Sequence, residues 1–543
     1  MNLGQVKSQL VFLVLLLLVA AGALAFRLPR LGDRPMHADE AVGAARFRRL
    51  WEEGRYVYDP NEFHGPTLQY ATLPSVWIGA PKGFAQTTEA TYRIVPVLFG
   101  TGLVLLLWLL GDALGRHAAV CAGALVAVSP AMVFYSRYYI HETLLVFFTL
   151  AAFCAGWRYV QSGRLAWCLA AGAFVGLMQA TKETSAISYA AAAVALGIAW
   201  LWAFGKGTVP FSLRENRDSP PVVRDGPPVV LRRMRGWHLA LGLAAAVLVA
   251  VVLLSSFLTN LRGPIDGVLT YLPWLSRAGG ESAHVHPWYY YLRMVAWWRE
   301  GGGPWWSEGL ILALAAVGFG VALLPNRMVP PGTSASFVRW VGFYTVFFTA
   351  AYSVIPYKTP WCLLGSLEGM ILLAGVGAVV LVSMTRARPL KALVALLLLG
   401  AACHLGWQAY RASFVLAADP RNPYVYAPTL PDAVRLSGDV EELAKAAPDG
   451  DAMAVKVVWH DAYYWPLPWY LRSLRHVEYW RRVPDDRDAA VVISSPEFDA
   501  PLTARLDGTH LMTGYYGVRP NVLVQLWVRL DLWEAHLRRL GRL

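Results

Sequence analysis

Long apolar runs recur along the chain and limit what it can fold into more than any other feature. Each run is about 17–23 residues long, enough helix to cross a hydrocarbon core of roughly 30 Å. Only 15% of the 543 residues are charged, whereas soluble domains carry about 25%. We therefore predict a polytopic α-helical membrane protein with about eleven transmembrane helices. The predicted ranges are 8–26, 93–111, 117–135, 141–159, 165–181, 184–203, 237–259, 308–324, 338–356, 360–383 and 392–408.

Much of the net charge of +12 lies in short loops between the apolar runs. This pattern indicates membrane topology rather than nucleic-acid binding. The predicted cytoplasmic loop 204–236 holds seven Lys/Arg against three acids, and loop 384–391 holds three and no acid. A cytoplasmic N-terminus with eleven spans places the C-terminus outside. The expected location is the plasma (inner) membrane.

The first apolar run fits two interpretations. Ala23-Leu24-Ala25 matches a signal-peptide cleavage pattern. The length of the run favours an uncleaved helix, and both interpretations place the next loop outside.

The predicted domains are a transmembrane module, 1–408, and an extracytoplasmic α/β domain, 409–543. The module includes two external loops, 27–92 and 260–307. In the tail, short β-type runs separated by helical segments predict a small sheet domain. The predicted strands are Ala454–Trp459, Ala489–Ser494 and Val522–Val528.

The first external loop contains two polar motifs, Asp39-Glu40 and His64-Gly65-Pro66. A carboxylate just beyond a membrane helix could deprotonate an acceptor hydroxyl. A divalent cation, if one is used, is expected at Asp39 and Glu40. His64 could donate to a phosphate. The alternative is a solvated acidic turn before a helix whose N-terminus favours acids.

Three further turns carry basic residues on the predicted outer side. Arg137 follows one apolar helix, and it could pair with Glu142 or point into a cavity. Lys182 and Lys358 each stand at the outer end of an apolar helix. A lone lysine there usually reaches to lipid headgroups, but these lysines with Arg137 could instead form a cationic phosphate pocket.

Aromatic residues crowd the predicted external segments, and most fit an interfacial belt. Some rings could instead stack on a sugar or on an isoprenoid chain. His284 and His286 form an H-x-H pair that could bind a metal, but the pair has no clear acidic partner to complete the site.

Taken in order, these motifs resemble the GT-C glycosyltransferases. The similarity is greatest to the flippase activity-associated branch, which is related to protein O-mannosyltransferases and the lipid A aminoarabinose transferase. It covers roughly residues 10–410. The motifs are Asp39-Glu40, His64-Gly65-Pro66, Ser136-Arg137-Tyr138, Thr181-Lys182-Glu183-Thr184, and Ile355-Pro356-Tyr357-Lys358-Thr359-Pro360-Trp361. The tail motif Tyr464-Trp465-Pro466-Leu467-Pro468-Trp469-Tyr470 also resembles that branch.

The resemblance implies inverting transfer of a sugar from a polyprenyl-phosphate donor to an extracytoplasmic glycan, lipid or protein. Asp39 would be the general base, and Glu40 its neighbour in acceptor or metal binding. The residues implied to hold the lipid phosphate are Arg137, Lys182, Lys358 and His64. Further candidates in the same turns are Tyr138, Glu142, Glu183 and Tyr357. A non-catalytic partner of a lipid-linked oligosaccharide flippase is the alternative function. A transporter is disfavoured because the charged residues stand at helix ends.

Overall fold

The structure is a computed structural model that describes residues 3–61, 64–205, 234–279, 284–325, 328–485 and 487–543. Most of the predicted basic loop 204–236 therefore lies outside the described residues. Helices make up the part before residue 411. They are α1 (Leu3–Arg27), α2 (Ala38–Glu53), α3 (Thr67–Gly79), α4 (Glu89–Leu106), α5 (Arg116–Val128), α6 (Pro130–Tyr135), α7 (Glu142–Ser162), α8 (Leu165–Gln179), α9 (Ser185–Gly205), α10 (Gly236–Leu254), α11 (Gly263–Leu269), α12 (Tyr271–Gly279), α13 (Tyr290–Ala296), α14 (Gly309–Leu323), α15 (Ala335–Val354), α16 (Leu363–Met384) and α17 (Arg388–Tyr410).

Membrane-spanning helices confirm the predicted fold class. Within the described ranges, seven helical stretches are long and apolar enough to cross a membrane, so the chain is a multi-pass membrane protein. They are Gly4–Arg27, Glu89–Leu110, Glu142–Ser162, Ser185–Trp202, Gly236–Leu254, Pro360–Met384 and Arg388–Val415. Each of the eleven predicted ranges contains a helix. Their number as spans stays a prediction.

One predicted helix, 117–135, is interrupted. Pro130 cannot donate a backbone hydrogen bond inside a helix, so α5 ends at Val128 and α6 begins at Pro130. The Ser129 side chain accepts a hydrogen bond from the Met132 amide and caps α6. This break lets the turn after α6 reach the end of α1 and the chain that follows it.

The centre of the bundle is α16, which packs closely against two neighbours through small residues. A Cβ added at Gly375 would lie 2.3 Å from the Ala118 oxygen of α5. A Cβ added at Gly377 would lie 2.0 Å from the Leu314 oxygen of α14. Helices in a bilayer often associate through close backbone approach of this kind. Burying apolar side chains does not favour association there, because the lipid is equally apolar. It holds α16, and the turn before it, in one position.

The C-terminal part is a small α/β unit with a mixed five-stranded sheet, which confirms the sheet domain. The strand order is β2-β1-β3-β5-β4, with β1 parallel to β2 and β3, and β5 antiparallel to β3 and β4. Its elements are α18 (Pro431–Ala444), β1 (Ala454–Val458), α19 (Leu467–Tyr470), β2 (His476–Trp480), β3 (Val491–Ser494), α20 (Asp499–Leu506), β4 (His510–Arg519), β5 (Val522–Arg529) and α21 (Leu530–Arg539). Two strands, β2 and β4, were not predicted. The boundary at residue 408 stays a prediction.

Hydrogen bonds join this unit to the segment before α2 and to the first residue of α4. The Tyr470 hydroxyl accepts a hydrogen bond from the Met36 amide at 2.8 Å, and Thr429 donates to the Met36 carbonyl at 2.7 Å. The Trp469 indole donates to Glu89 at 3.0 Å. These bonds hold the chain just before α2, so the start of α2 has a fixed position.

Candidate active site

A cavity of about 440 Å³ lies where the start of α2, the turn after α8, helix α12 and the turn before α16 meet. Of the predicted residues, it brings together six. They are Asp39, His64, Glu142, Lys182, Glu183 and Tyr357. Glu40, Arg137, Tyr138 and Lys358 do not line it. The walls are mostly apolar and aromatic, as in cavities that bind an amphipathic ligand.

Asp39 stands in the first turn of α2, and its side chain is 53% exposed. The Asp39 amide donates to Nδ1 of His37 at 3.1 Å, which caps the helix. Since Nδ1 accepts, the proton of neutral His37 is on Nε2, and burial lowers the pKa of His37. The helix start thus presents the Asp39 carboxylate to the cavity while holding its backbone still.

Glu40 has a different environment from its neighbour. Arg93 donates to both carboxylate oxygens, at 2.8 and 2.7 Å, and Arg34 donates at 2.9 Å. The Tyr139 amide donates at 2.9 Å as well. Burial favours the neutral acid, but Arg34 and Arg93 outweigh it and hold the pKa of Glu40 well below its usual range. Glu40 therefore ties α2, α4 and the turn after α6 together.

A buried ion pair and a hydrogen bond between a histidine and a buried carboxylate line the cavity. Lys182 donates to Glu142, and both side chains are buried. Burial opposes the charge of Lys182, but carboxylates led by Glu142 outweigh it and raise the pKa of Lys182. His64 bonds Glu183 at 2.9 Å and stacks on Trp274 with ring centroids 5.2 Å apart. Among the described residues, the second, buried oxygen of Glu183 has no hydrogen-bond partner.

The position of His64 depends on the glycine that follows it. The Gly65 amide donates to the Thr181 carbonyl at 3.1 Å. A Cβ at Gly65 would lie 2.1 Å from the Ala180 oxygen, so no larger residue fits. His141 bonds the Gly65 carbonyl at 3.1 Å and meets the His64 ring edge-on. These contacts hold the chain before α3 against the turn after α8.

Lys358 is buried in the turn before α16, next to Tyr357, which lines the cavity. Its ammonium donates to the Ile355 carbonyl, at the end of α15. Its amide donates to the His284 carbonyl at 2.9 Å, and Val285 forms a bridge with Tyr357. Burial lowers the pKa of Lys358. The segment before α13 therefore holds this turn in place.

Arg137 takes neither of the positions considered from the sequence. Its guanidinium donates to the carbonyls of Arg27, Pro29 and Arg30, and it lies 4.2 Å above the Phe414 ring. It neither pairs with Glu142 nor lines the cavity. It instead holds in place the end of α1 and the segment that follows it.

Tyr138 also lies away from the cavity. It is buried, and the Arg34 guanidinium stacks 3.9 Å above its ring. Arg34 also pairs with Glu40, so Tyr138 belongs to the same supporting cluster.

Several lining residues were missed or left in a general category by sequence reasoning. His141 and Tyr271 received no role, and Trp274 was counted among the belt aromatics. All three line the cavity. Of these three residues, only His141 could have been identified from the sequence as a candidate site residue, because it lies in the same turn as Arg137 and Glu142.

A metal centre has little support from the described residues. Among them, no group of three or more His, Cys, Asp or Glu side chains is placed to hold an ion. Asp39 faces the cavity whereas Glu40 is engaged by two arginines, so the two do not converge on one point.

Comparison with known proteins gives one family match and several structures of similar fold. The model of the dolichyl-phosphate-mannose-protein mannosyltransferase family matches residues 84–206. No curated protein matches the chain significantly. ArnT from Cupriavidus metallidurans bound to undecaprenyl phosphate superposes with a TM-score of 0.62 at 16% identity, covering 94% of this chain and 97% of that one. The Archaeoglobus fulgidus oligosaccharyltransferase, tethered with an acceptor peptide, has a TM-score of 0.50 at 12% identity, covering 93% and 74%.

The fold is that of the membrane GT-C glycosyltransferases, which confirms the resemblance seen in the sequence. Within that class the chain resembles ArnT over nearly the whole length of both proteins, and the O-mannosyltransferases over residues 84–206.

Proposed function

We propose that the protein is a glycosyltransferase that moves a sugar from a polyprenyl-phosphate donor to an acceptor hydroxyl outside the cytoplasm. The observation that carries this proposal is that Asp39, Lys182 and His64 line the same cavity. A base on one wall and phosphate-binding groups on another are the two parts that such a transfer needs.

The donor phosphate would bind at the basic wall. His64 and Lys182 line the cavity directly, and Lys358 lies one residue from lining groups on both sides. Lys358 now donates to a neutral carbonyl. A phosphate is a stronger acceptor, so the ammonium would turn to it when the donor arrives. That ArnT was solved with undecaprenyl phosphate supports a donor of this class.

The lipid part of the donor needs an apolar approach. Helices α11 and α12 expose apolar side chains, among them Ile265, Val268, Leu272 and Leu275, each at least 60% exposed. Leu275 also lines the cavity. Such a surface lies favourably at the boundary of the bilayer, and it offers the polyprenyl chain a continuous apolar contact into the site.

The chemical step would be a single displacement. The acceptor oxygen forms a bond to C1 of the sugar while the bond from C1 to the phosphate oxygen breaks, so configuration inverts. Asp39 takes the hydroxyl proton, and the electron pair leaves with the polyprenyl phosphate. Charge then grows on the phosphate, where Lys182, Lys358 and His64 stabilise it.

Two predicted site residues receive supporting roles in this proposal. Glu40 holds α2 against α4 so that Asp39 keeps its direction. Arg137 holds the end of α1, at the base of the same loop. Neither residue needs to contact the donor. The proposed reaction does not require a metal ion at Glu40.

The predicted membrane topology is consistent with this proposal. The loops that form the cavity are the predicted external ones, and the sheet domain contacts them directly. An inner-membrane protein with its C-terminal domain outside would meet a lipid-linked donor on the side where no nucleotide sugar is available.

The test is the substitution Asp39→Asn, with Glu53→Gln on the exposed end of α2 as the matched control. Purified protein is given undecaprenyl-phosphate-linked sugars, and binding and donor cleavage are measured separately. We expect D39N to bind the donor normally and to lose about 10²–10⁴-fold in turnover. Unchanged turnover would remove Asp39 as base, and binding without cleavage by the unsubstituted protein would favour the flippase-partner alternative.

A further inference from the structure

A short hairpin between α13 and α14 exposes aromatic side chains outside the candidate active site. It comprises residues 297–306, and two backbone hydrogen bonds of 2.9 Å join Trp298 to Trp306 in an antiparallel bridge. Trp297 and Trp305 are each more than half exposed, and their rings lie 4.5 Å apart. Tryptophan is enriched where a membrane protein meets the headgroup layer, so the hairpin is suited to the bilayer surface.

The end of a membrane-spanning stretch, Arg388–Val415, is fixed against this hairpin. The Gln408 side chain accepts a hydrogen bond from the Ser307 amide at 2.9 Å and donates to the Ser307 carbonyl at 3.1 Å. Trp407, the preceding residue, is more than half exposed. The hairpin and the end of α17 therefore form one continuous surface at the end of a membrane helix.

Three arginines stack on the tryptophan rings of this surface. The distances from Cζ to the ring centre are 4.6 Å for Arg299 over Trp305, 4.4 Å for Arg293 over Trp298 and 4.9 Å for Arg411 over Trp407. Stacking occupies the flat face of a guanidinium and leaves the N–H groups along its edge for another partner. These six residues form the Arg–Trp surface.

The arginines of the Arg–Trp surface are not neutralised by carboxylates. Within the described ranges none of the three forms an ion pair, whereas Arg421 beside the hairpin pairs with Asp419 at 2.6 Å. Glu300, in the turn of the hairpin, is exposed. Arg299 uses only Nε, which donates to the Gly303 carbonyl at 3.1 Å. The surface therefore has an excess of positive charge with free hydrogen-bond donors.

The apolar part of a lipid would find a matching contact on α17. Leu396 is exposed and lies eleven residues before Trp407. Eleven residues are about three helical turns, so both side chains stand on the same face, about 16 Å apart along the axis. That length is about half of a hydrocarbon core, so an acyl chain of one leaflet could follow this face from the Arg–Trp surface.

We propose that the Arg–Trp surface binds the headgroup of an anionic phospholipid. Arginine pairs well with phosphate oxygens, and the exposed indole rings lie at the depth of the headgroups. A zwitterionic headgroup carries an ammonium that the arginines would repel, so an anionic lipid is favoured. The hairpin belongs to the predicted external loop 260–307, where the charge rule disfavours arginine, which indicates a specific role. This inference does not depend on the proposed function.

The test measures binding of radiolabelled dioleoyl-phosphatidylglycerol and dioleoyl-phosphatidylcholine to the full-length protein in dodecyl maltoside, by scintillation proximity. The variant that removes the three charges is R293Q/R299Q/R411Q. The matched control removes three exposed arginines of the sheet domain and is R481Q/R482Q/R487Q. Thermal unfolding in the same detergent without phospholipid reports whether each variant is folded.

We expect the unsubstituted protein to bind phosphatidylglycerol about tenfold or more tightly than phosphatidylcholine. The surface variant should lose most of this preference, and the control should keep it within about twofold. Affinity for phosphatidylglycerol should also fall as NaCl is raised from about 50 to 500 mM, because salt screens exposed charges.

Three results would overturn the inference. The first is equal binding of the two lipids by the unsubstituted protein. The second is an unchanged preference in the folded surface variant. The third is an affinity for phosphatidylglycerol that does not change with salt, and this measurement needs no variant, so it decides the question even if the surface variant does not fold.

Discussion

Lys182 donates to Glu142 in an ion pair that is 6% and 7% exposed and lies in the wall of the cavity. The pair joins the turn after α8 to the start of α7. Because a buried ion is costly without its partner, the pair both shapes the cavity and keeps a positive charge available to a phosphate.

This pair can be tested by a double substitution. Lys182→Gln alone leaves Glu142 buried and unpaired, and we expect a cost of about 3–5 kcal/mol in stability, seen as a lower Tm. K182Q/E142Q should recover much of that stability. Undecaprenyl phosphate binding should be weakened in both variants, because both lack the ammonium. Normal binding by the double variant would show that Lys182 is structural only.

Glu40 is expected to act on stability more than on binding. Glu40→Gln removes the charge that faces Arg93, and we expect a loss of about 3–5 kcal/mol and a clearly lower Tm. Glu53→Gln on the same helix should have no such effect. Thermal unfolding of the two variants decides this. An unchanged Tm for E40Q with a large loss of turnover would favour a direct catalytic role.

Arg137 should contribute to folding without contacting the donor. Arg137→Gln leaves the carbonyls after α1 without their donor, so Tm should fall. In the folded fraction, affinity for undecaprenyl phosphate should stay within about twofold. A tenfold loss of affinity at unchanged Tm would instead support the role that the sequence suggested.

Lys358 gives the site a pH dependence. Burial lowers the pKa of Lys358 from the ordinary lysine value of 10.5. Only the protonated form attracts a phosphate, so affinity for undecaprenyl phosphate should fall as pH rises through this lowered pKa. Lys358→Arg stays charged at alkaline pH, and it should keep its affinity there. If the two proteins lose affinity in parallel, Lys358 is not the titrating group.

Much of the fold could be predicted because membrane helices leave a strong local signal. An apolar run of sufficient length has few other stable structures in lipid, and a helix was found in every predicted range. Strands β2 and β4 were missed because β2 is half-exposed and polar in part, while β4 contains Gly514 and Gly517. Their pairing is set by neighbours far along the chain.

The site was only partly predictable for the same reason. We predicted related roles for adjacent residues of a motif, but consecutive positions on a helix face different directions. Asp39 reaches the cavity whereas Glu40 meets Arg93, which is 53 residues away. Pairing of Arg137 with Glu142 was one of two possibilities because the two are close in sequence, yet the partner of Glu142 is 40 residues away. Such pairings depend on packing, which local sequence does not encode.

The central claim is that a lipid phosphate binds beside Asp39 against the basic wall of one cavity. A cryo-EM structure of the protein in nanodiscs with undecaprenyl phosphate tests it most directly. We predict phosphate density within hydrogen-bond distance, about 3 Å, of at least one of Lys182, Lys358 and His64, with the polyprenyl chain leaving past α12. Phosphate density at Arg137, or at the opposite end of the helices, would contradict the account.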